Sequence, residues 1–177
     1  MTVWKWLFDT RYGVINWVLV KIGLHGFEGY SWLADPLTFF VVAAVIVVWM
    51  SVPFVAFSLY AALTQVSEET IEAAQIDGAS AWQRLRYIVA PAIRPVLAIV
   101  TLLQIVWDLR VFAQINYLQN AGGTQEKTNL LGTYLYQLGI GQSHYGVASA
   151  VAMLMLILTL ILTAGYVRSL LREEKNA

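Results

Sequence analysis

PLTFFVVAAVIVVWMSVPFVAFSLYAALTQVS, Pro36 to Ser67, contains no Asp, Glu, Lys or Arg. A helix needs about 20 apolar residues to cross about 30 Å of hydrocarbon, so residues 37–63 are predicted to form a membrane-spanning helix. Pro53 lies inside it and removes one backbone hydrogen bond, which predicts a kink of the kind membrane proteins accept where neighbours or a cavity satisfy the freed carbonyl. Working outward, residues 145–167 form a second clean run, bounded by His144 and Arg168. A less uniform span is expected at 90–117, whose longest uncharged segment, 95–107, stops before Asp108 and Arg110. The first 35 residues mix Trp4, Trp6, Trp17, Trp32, Tyr12 and Tyr30 with Lys5, Asp9, Arg11 and Lys21. Such a blend of aromatic and charged side chains suits an extracytoplasmic, interfacial segment better than a span, and a soluble-side helix packed on the membrane domain would also account for it. The expected division is therefore 1–35 at the interface and 36–177 as an all-α, polytopic membrane domain.

Composition agrees. Of 177 residues, 59% are hydrophobic, against about 45–50% in ordinary soluble domains, and mean hydropathy is +0.64. Eleven basic and eleven acidic residues cancel, so no net field suggests nucleic acid as a partner. There is no cysteine, and His25 and His144 stand far apart without spaced carboxylates, so no metal site and no catalytic residue is expected. Lys5, Asp9 and Arg11 interrupt the first residues, which does not suit a cleaved signal peptide. Arg84, Arg86, Arg94, Arg168, Arg172 and Lys175 fall on one side of the three spans, and Lys5, Arg11, Lys21 and Lys127 on the other. The positive-inside preference points the first group, and the C-terminus, toward the cytoplasm.

Between the first two spans runs SEETIEAAQIDGASAWQRLRYIVAPAIRP, Ser67 to Pro95. Ser67 is placed to cap a helix whose first turn carries Glu68 and Glu69, where negative charge suits the helix dipole. Ile71, Ala74 and Ile76 give that helix a small apolar surface, and Gly78 permits a sharp turn. Trp82, Leu85 and Ile88 then mark a second amphipathic stretch, which Pro91 and Pro95 are expected to end before the chain enters the bilayer. Two short helices around a glycine break form a shape suited to docking in another protein's groove.

Glu72-Ala73-Ala74, Asp77-Gly78-Ala79, Ile88 and Pro91, at this spacing, resemble the EAA loop of permease subunits of binding-protein-dependent ABC importers. Leu85 stands where an aromatic is usual, and Ala90 where leucine is common. Downstream, Trp107, Phe112, Gly122-Gly123, Thr128, Tyr134, Tyr136 and the run Gly146 to Ala150 are similar to sugar-type permeases of the maltose and glycerol-phosphate group, with Thr124 replacing the usual proline. The resemblance implies the transmembrane fold of a type I ABC importer and a multi-pass subunit of the bacterial inner membrane. It further implies that residues 67–90 form a coupling segment and that Glu72, Ala73, Ala74, Asp77, Gly78 and Ala79 meet a cytoplasmic ATPase. Expected partners are a dimer of ATP-binding subunits, a second permease, an extracytoplasmic solute-binding protein and lipid. Such permeases carry several helices before the point matching Met1, so the chain resembles their C-terminal portion.

No G-x-x-x-x-G-K-[ST] phosphate loop occurs in the chain, so no cofactor is expected on it and ATP falls to the partner subunits. Gln104 and Asp108 are four apart and share a helix face; polar groups at membrane depth usually face a bundle interior or a cavity. They are candidates for a solute path, as are Trp49, whose ring can stack on a sugar, and Ser51 beside the Pro53 kink. Structural pairing near the outer boundary would also account for Asp108, and core packing for Trp49. The amide- and glycine-rich segment 118–143 suits contact with a binding protein or a solvated connector. The competing functions are an ion-coupled carrier or channel, for which the 67–95 loop would be dispensable, and a non-transporting membrane scaffold, for which the outer loop and Asp108 would be freely mutable.

Overall fold

A computed structural model describes the backbone of residues 1–175 and the side chains of residues 1–168; Arg172 and Lys175, counted in the charge balance, have side chains outside the described ones. Nine α-helices in chain order, with short 3-10 and π turns, make up the described residues, which contain no strand. Among the described residues, three helices are long and apolar enough to cross a membrane: Pro36–Leu63, Ala81–Leu109 and Tyr145–Arg168, of 28, 29 and 24 residues. The shortest still reaches about 36 Å at 1.5 Å per residue.

The first long helix, α3 (Pro36–Leu63), follows α1 (Thr2–Leu7) and α2 (Val14–Lys21). Asp35 starts it, accepting from the N–H groups of Leu37 at 3.0 Å and Thr38 at 3.3 Å, while Pro36 occupies the first helical position, where its missing N–H costs nothing. Pro53 does not break α3.

The second long helix departs from expectation at both ends. It was expected at 90–117, entered through a break at Pro91 and Pro95, but α5 (Ala81–Arg84), a π turn (Leu85–Val89) and α6 (Ala90–Leu109) form one uninterrupted helix. The π turn changes the hydrogen-bond ladder just ahead of Pro91, where a donor is missing, and so lets the helix pass through the prolines. At the far end the helix stops at Leu109, and Phe112 leads into α7 (Ala113–Asn120). Asp108 and Arg110 end the apolar run there, and the amides of α7 make it a separate, polar helix. Then come α8 (Leu131–Tyr136), continued by a π turn (Gln137–Gly141), and α9 (Tyr145–Lys175).

The chain divides into two compact units, residues 1–50 with 110–157 and residues 51–109 with 158–177. In the first, Phe8, Leu33, Phe39, Val42, Ala43, Ile46, Ile115 and Leu118 form a buried core. The N-terminal segment is tied to it through Trp32, which packs against Phe8 at 5.8 Å and Phe27 at 5.4 Å and donates to Asn16 Oδ1 at 2.6 Å. Asn16 is buried but satisfied, since its amide also donates to the Tyr30 carbonyl at 2.9 Å. Val14, Trp17, Val18 and Ile22 of the same segment stay exposed, and Lys21 lies over the Trp17 ring. This is an anchored segment with an open apolar-aromatic face, compatible with an interfacial position.

In the second unit, Ala62, Ala98 and Val100 are buried, Phe54 meets Trp107 at 5.0 Å, and Tyr166 reaches Ala98. Much of the long-helix surface is exposed and apolar, including Val52, Phe57, Ile99, Leu160 and Ile161. A surface of this kind is what lipid or neighbouring helices cover.

Candidate functional site

The segment after α3 folds as local chemistry dictates. Ser67 caps α4 (Glu68–Ile76), its hydroxyl accepting from the Thr70 N–H at 3.4 Å, with Glu68 and Glu69 in the first turn. Gly78 ends α4 with φ +81°, a left-handed conformation that glycine adopts without steric cost. Its N–H donates to Gln75 O at 3.0 Å and the Ala79 N–H to Ala74 O at 2.9 Å, the paired bonds of a Schellman motif. Two residues later Ser80 opens α5 with a capping box: the Gln83 N–H donates to Ser80 Oγ at 3.4 Å, and the Ser80 N–H to Gln83 Oε1 at 2.8 Å. The turn between the helices is thus fixed by hydrogen bonds on both sides of one glycine.

This turn gathers Asp77, Gly78 and Ala79 around a cavity of about 330 Å³ completed by Gln83, Arg84, Tyr87 and Ile88. Glu72 and Ala73 are exposed on α4, with Ala74 half-buried beside them. Of the expected apolar surface, Ile71 and Ala74 are half-buried, whereas Ile76 is 87% exposed because it falls on another face of the helix. Trp82 and Tyr87 are also largely exposed. Ile76, Trp82 and Tyr87 thus leave the segment with large apolar side chains that find no cover within the described residues.

The path candidates are divided. Ser51, Gln104 and Asp108 belong to one unit and Trp49 to the other. Trp49 is 67% exposed, its ring set edge-on to Trp4 at 6.3 Å. Ser51 is half-buried, and the Phe54–Trp107 contact joins the stretch of α3 just after it to the stretch of α6 that carries Asp108. Asp108 is exposed in the last turn of α6. Gln104, one turn earlier, has a buried side-chain oxygen, Oε1, with no hydrogen-bond partner among the described residues. An acceptor left without a partner among apolar side chains carries a desolvation cost.

An amide cluster between the second and third long helices escapes residue-level reading of the sequence. Gln119 donates through Nε2 to Thr128 O at 3.1 Å and Asn129 Oδ1 at 3.0 Å, and Asn129 donates to Gln137 Oε1 at 2.8 Å. Thr128 and Gln119 are buried. The signal was the density of Asn and Gln from 114 to 142, which composition reveals but spacing does not pair.

Residues 3–172 match the family described as binding-protein-dependent transport system inner membrane component. The chain is 43% identical over 175 residues to the diacetylchitobiose uptake system permease protein DasB of Streptomyces coelicolor, covering 99% of this chain and 53% of that protein. It is 33% identical to the trehalose/maltose transport system permease protein MalF of Thermococcus litoralis, over 93% of this chain and 54% of that one. The chain thus spans about half the length of these curated relatives. Among solved structures, a bacterial ABC transporter involved in the import of the acidic polysaccharide alginate aligns with a TM-score of 0.76 at 22% identity, covering 97% of this chain and 59% of that one. A bacterial alginate transporter in complex with an alginate pentasaccharide-bound periplasmic protein aligns with a TM-score of 0.77 at 24% identity, over 93% of this chain and 62% of that one. The fold is that of an ABC importer transmembrane domain.

Proposed function

The chain belongs to the family of binding-protein-dependent transport system inner membrane components, and from that premise we propose that it serves as a permease subunit of an ATP-driven importer of a sugar or sugar derivative. Solute arrives on an extracytoplasmic binding protein, enters a path between this subunit and a second permease, and is released inward when cytoplasmic ATP-binding subunits close. The relatives' names, which include uptake systems for diacetylchitobiose and trehalose/maltose, support a sugar as the solute. The basic residues Arg84, Arg86, Arg94 and Arg168 support a cytoplasmic position for the 67–90 segment and the C-terminus.

One observation carries the coupling role: α5, the π turn and α6 are a single helix from Ala81 to Leu109. Glu72, Ala73, Ala74, Asp77, Gly78 and Ala79 sit at or before its N-terminal end, and Gln104 and Asp108 near its other end. Force applied by an ATPase to the exposed residues around Gly78 is carried along this continuous helix to the polar residues of the path. The exposed Ile76, Trp82 and Tyr87 supply the apolar contact area that such docking needs. Chemistry on the nucleotide belongs to the partner; this chain contributes no phosphate loop.

The test is solute-stimulated ATPase activity and uptake by the complex reconstituted with its binding protein. Glu72→Ala and Gly78→Trp are expected to abolish stimulation while the chain still inserts. Full stimulated ATPase activity in both variants would remove this segment as the coupler, and failure of ATP-binding subunits to co-purify with the chain would favour an ion-coupled carrier.

A further inference from the structure

The amide cluster encloses a cavity of about 290 Å³, lined by Asn116, Gln119, Asn120, Gln125, Asn129 and Gln137 among others, with the ring of Tyr136 on its wall. It lies within one unit and is built from α7, the 3-10 turn Gln125–Lys127, and α8 with its π turn. Its size is near the lower end of small-ligand pockets, about 300–1,000 Å³, room for one pyranose ring rather than an oligosaccharide. No Asp, Glu, Lys or Arg lines it; Glu126 and Lys127, on the same 3-10 turn as Gln125, are exposed and absent from the wall.

The inner amides are committed to the fold: Gln119 and Asn129 hold Thr128 and Gln137. Those nearer α7's surface are not. Asn116 makes no side-chain hydrogen bond among the described residues, and Asn120 accepts only one long bond, from Gln125 at 3.5 Å. Together with Gln137 Nε2 and the Tyr136 hydroxyl they leave both donors and acceptors unused. Tyr136 itself is held by Phe112, 5.1 Å away. Paired donors and acceptors in a concave, charge-free site beside a fixed aromatic ring suit hydroxyls and a sugar face; they offer nothing to neutralise a carboxylate or phosphate.

We propose that this cavity is a receiving site for one uncharged sugar ring. The inference rests on the reading of the chain as a sugar-importer subunit and adds to it a location and a chemical class. Neutral hexoses or N-acetylhexosamines fit; uronic acids and sugar phosphates do not.

Because the chain has no cysteine, the site can be interrogated by one introduced thiol. Asn120→Cys in the assembled complex, in lipid nanodiscs, is labelled with a maleimide in the presence of diacetylchitobiose, maltose or trehalose, or of digalacturonate as the charged control. At least one neutral disaccharide is expected to slow labelling, and digalacturonate to leave it unchanged. In a second measurement, saturation-transfer NMR on the complex, Asn116→Leu should weaken binding of the protecting sugar about five-fold, the size of one neutral hydrogen bond. Equal protection by digalacturonate, or protection and NMR signals indifferent to Asn116→Leu, would overturn the proposal. Binding-protein-dependent uptake of the same sugars is measured in parallel. Uptake without protection sinks the cavity alone, whereas a complex that takes up no sugar at all sinks the importer reading on which it rests.

Discussion

Tyr166 donates its phenolic hydroxyl to the backbone carbonyl of Ala98 at 2.8 Å, joining the third apolar helix to the second within one unit. Where no water competes, an interhelical bond of this kind is worth about 0.6–1.5 kcal/mol. Tyr166→Phe keeps the ring and removes the donor, so the chain should lose about 1 kcal/mol of stability, read as a lower midpoint of denaturant unfolding in detergent. An unchanged midpoint would show that the bond is replaced by another partner.

Gly78 allows intramolecular strain to be separated from docking. Apart from its chain neighbours, no atom of the described residues lies within 4 Å of where a Cβ would stand, so a Cβ there meets only the cost of its left-handed backbone. Gly78→Ala should cost about 1 kcal/mol and Gly78→Asn less, because asparagine tolerates that conformation. Gly78→Trp should unfold no more readily than Gly78→Ala. A steeper loss of stimulated ATPase activity in the tryptophan variant than in the alanine one would therefore measure contact with a partner.

Gly123 is the opposite case. A Cβ there would stand 2.6 Å from Phe39 Cε2 and 3.1 Å from Gln119 Cα, and Phe39 is fully buried. Gly123→Ala should destabilise by about 1–3 kcal/mol through overpacking. Pairing it with Phe39→Leu should restore part of the loss, giving a non-additive double-mutant cycle in thermal unfolding.

Gln104 predicts stability and activity moving apart. Its buried Oε1 has no partner among the described residues, so Gln104→Leu should leave stability unchanged or raise it by about 1 kcal/mol, while solute uptake falls. A variant that is both stable and fully active would strip Gln104 of a role in the path.

At the N-terminal end, the Arg11 and Tyr12 N–H groups donate to Asp9 Oδ1 at 2.8 and 2.9 Å, and these bonds, Tyr12's foremost, hold the Asp9 carboxyl below its ordinary value. A carboxylate lowered in this way adds stability above the unfolded value near 3.9 and loses it as pH falls through the folded value. Amide-exchange protection at Arg11 and Tyr12 should therefore persist at neutral pH and disappear in acid, and Asp9→Ala should show the unprotected behaviour throughout.

The three long helices and the capped turn at Gly78 were legible in the residues because their causes are local. The charge-free run from Pro36 needs only a count of apolar residues, and Ser67 and Gly78 act on neighbours no more than five positions away, whereas the capping box at Ser80 went unread. The path of the chain through Pro91 and Pro95 was misread, because a proline normally stops a helix and nothing in the sequence announces the π turn that carries the chain through. The amide cavity was equally hidden: Gln119, Asn129 and Gln137 meet only once the chain turns after Gly122 and again before α8.

Composition and short-range spacing thus determined by themselves that this chain is helical, apolar enough to cross a membrane and furnished with a capped glycine turn between two spans, since hydrophobic run length and helix capping depend on near neighbours. Tertiary structure alone decided that the turn feeds one continuous helix reaching Gln104 and Asp108, that Gly123 must be small against Phe39, and that scattered amides close around a cavity. The last two depend on which side chains folding brings together across long stretches of chain, which no local pattern encodes, and the first on a π turn that nothing in the sequence announces.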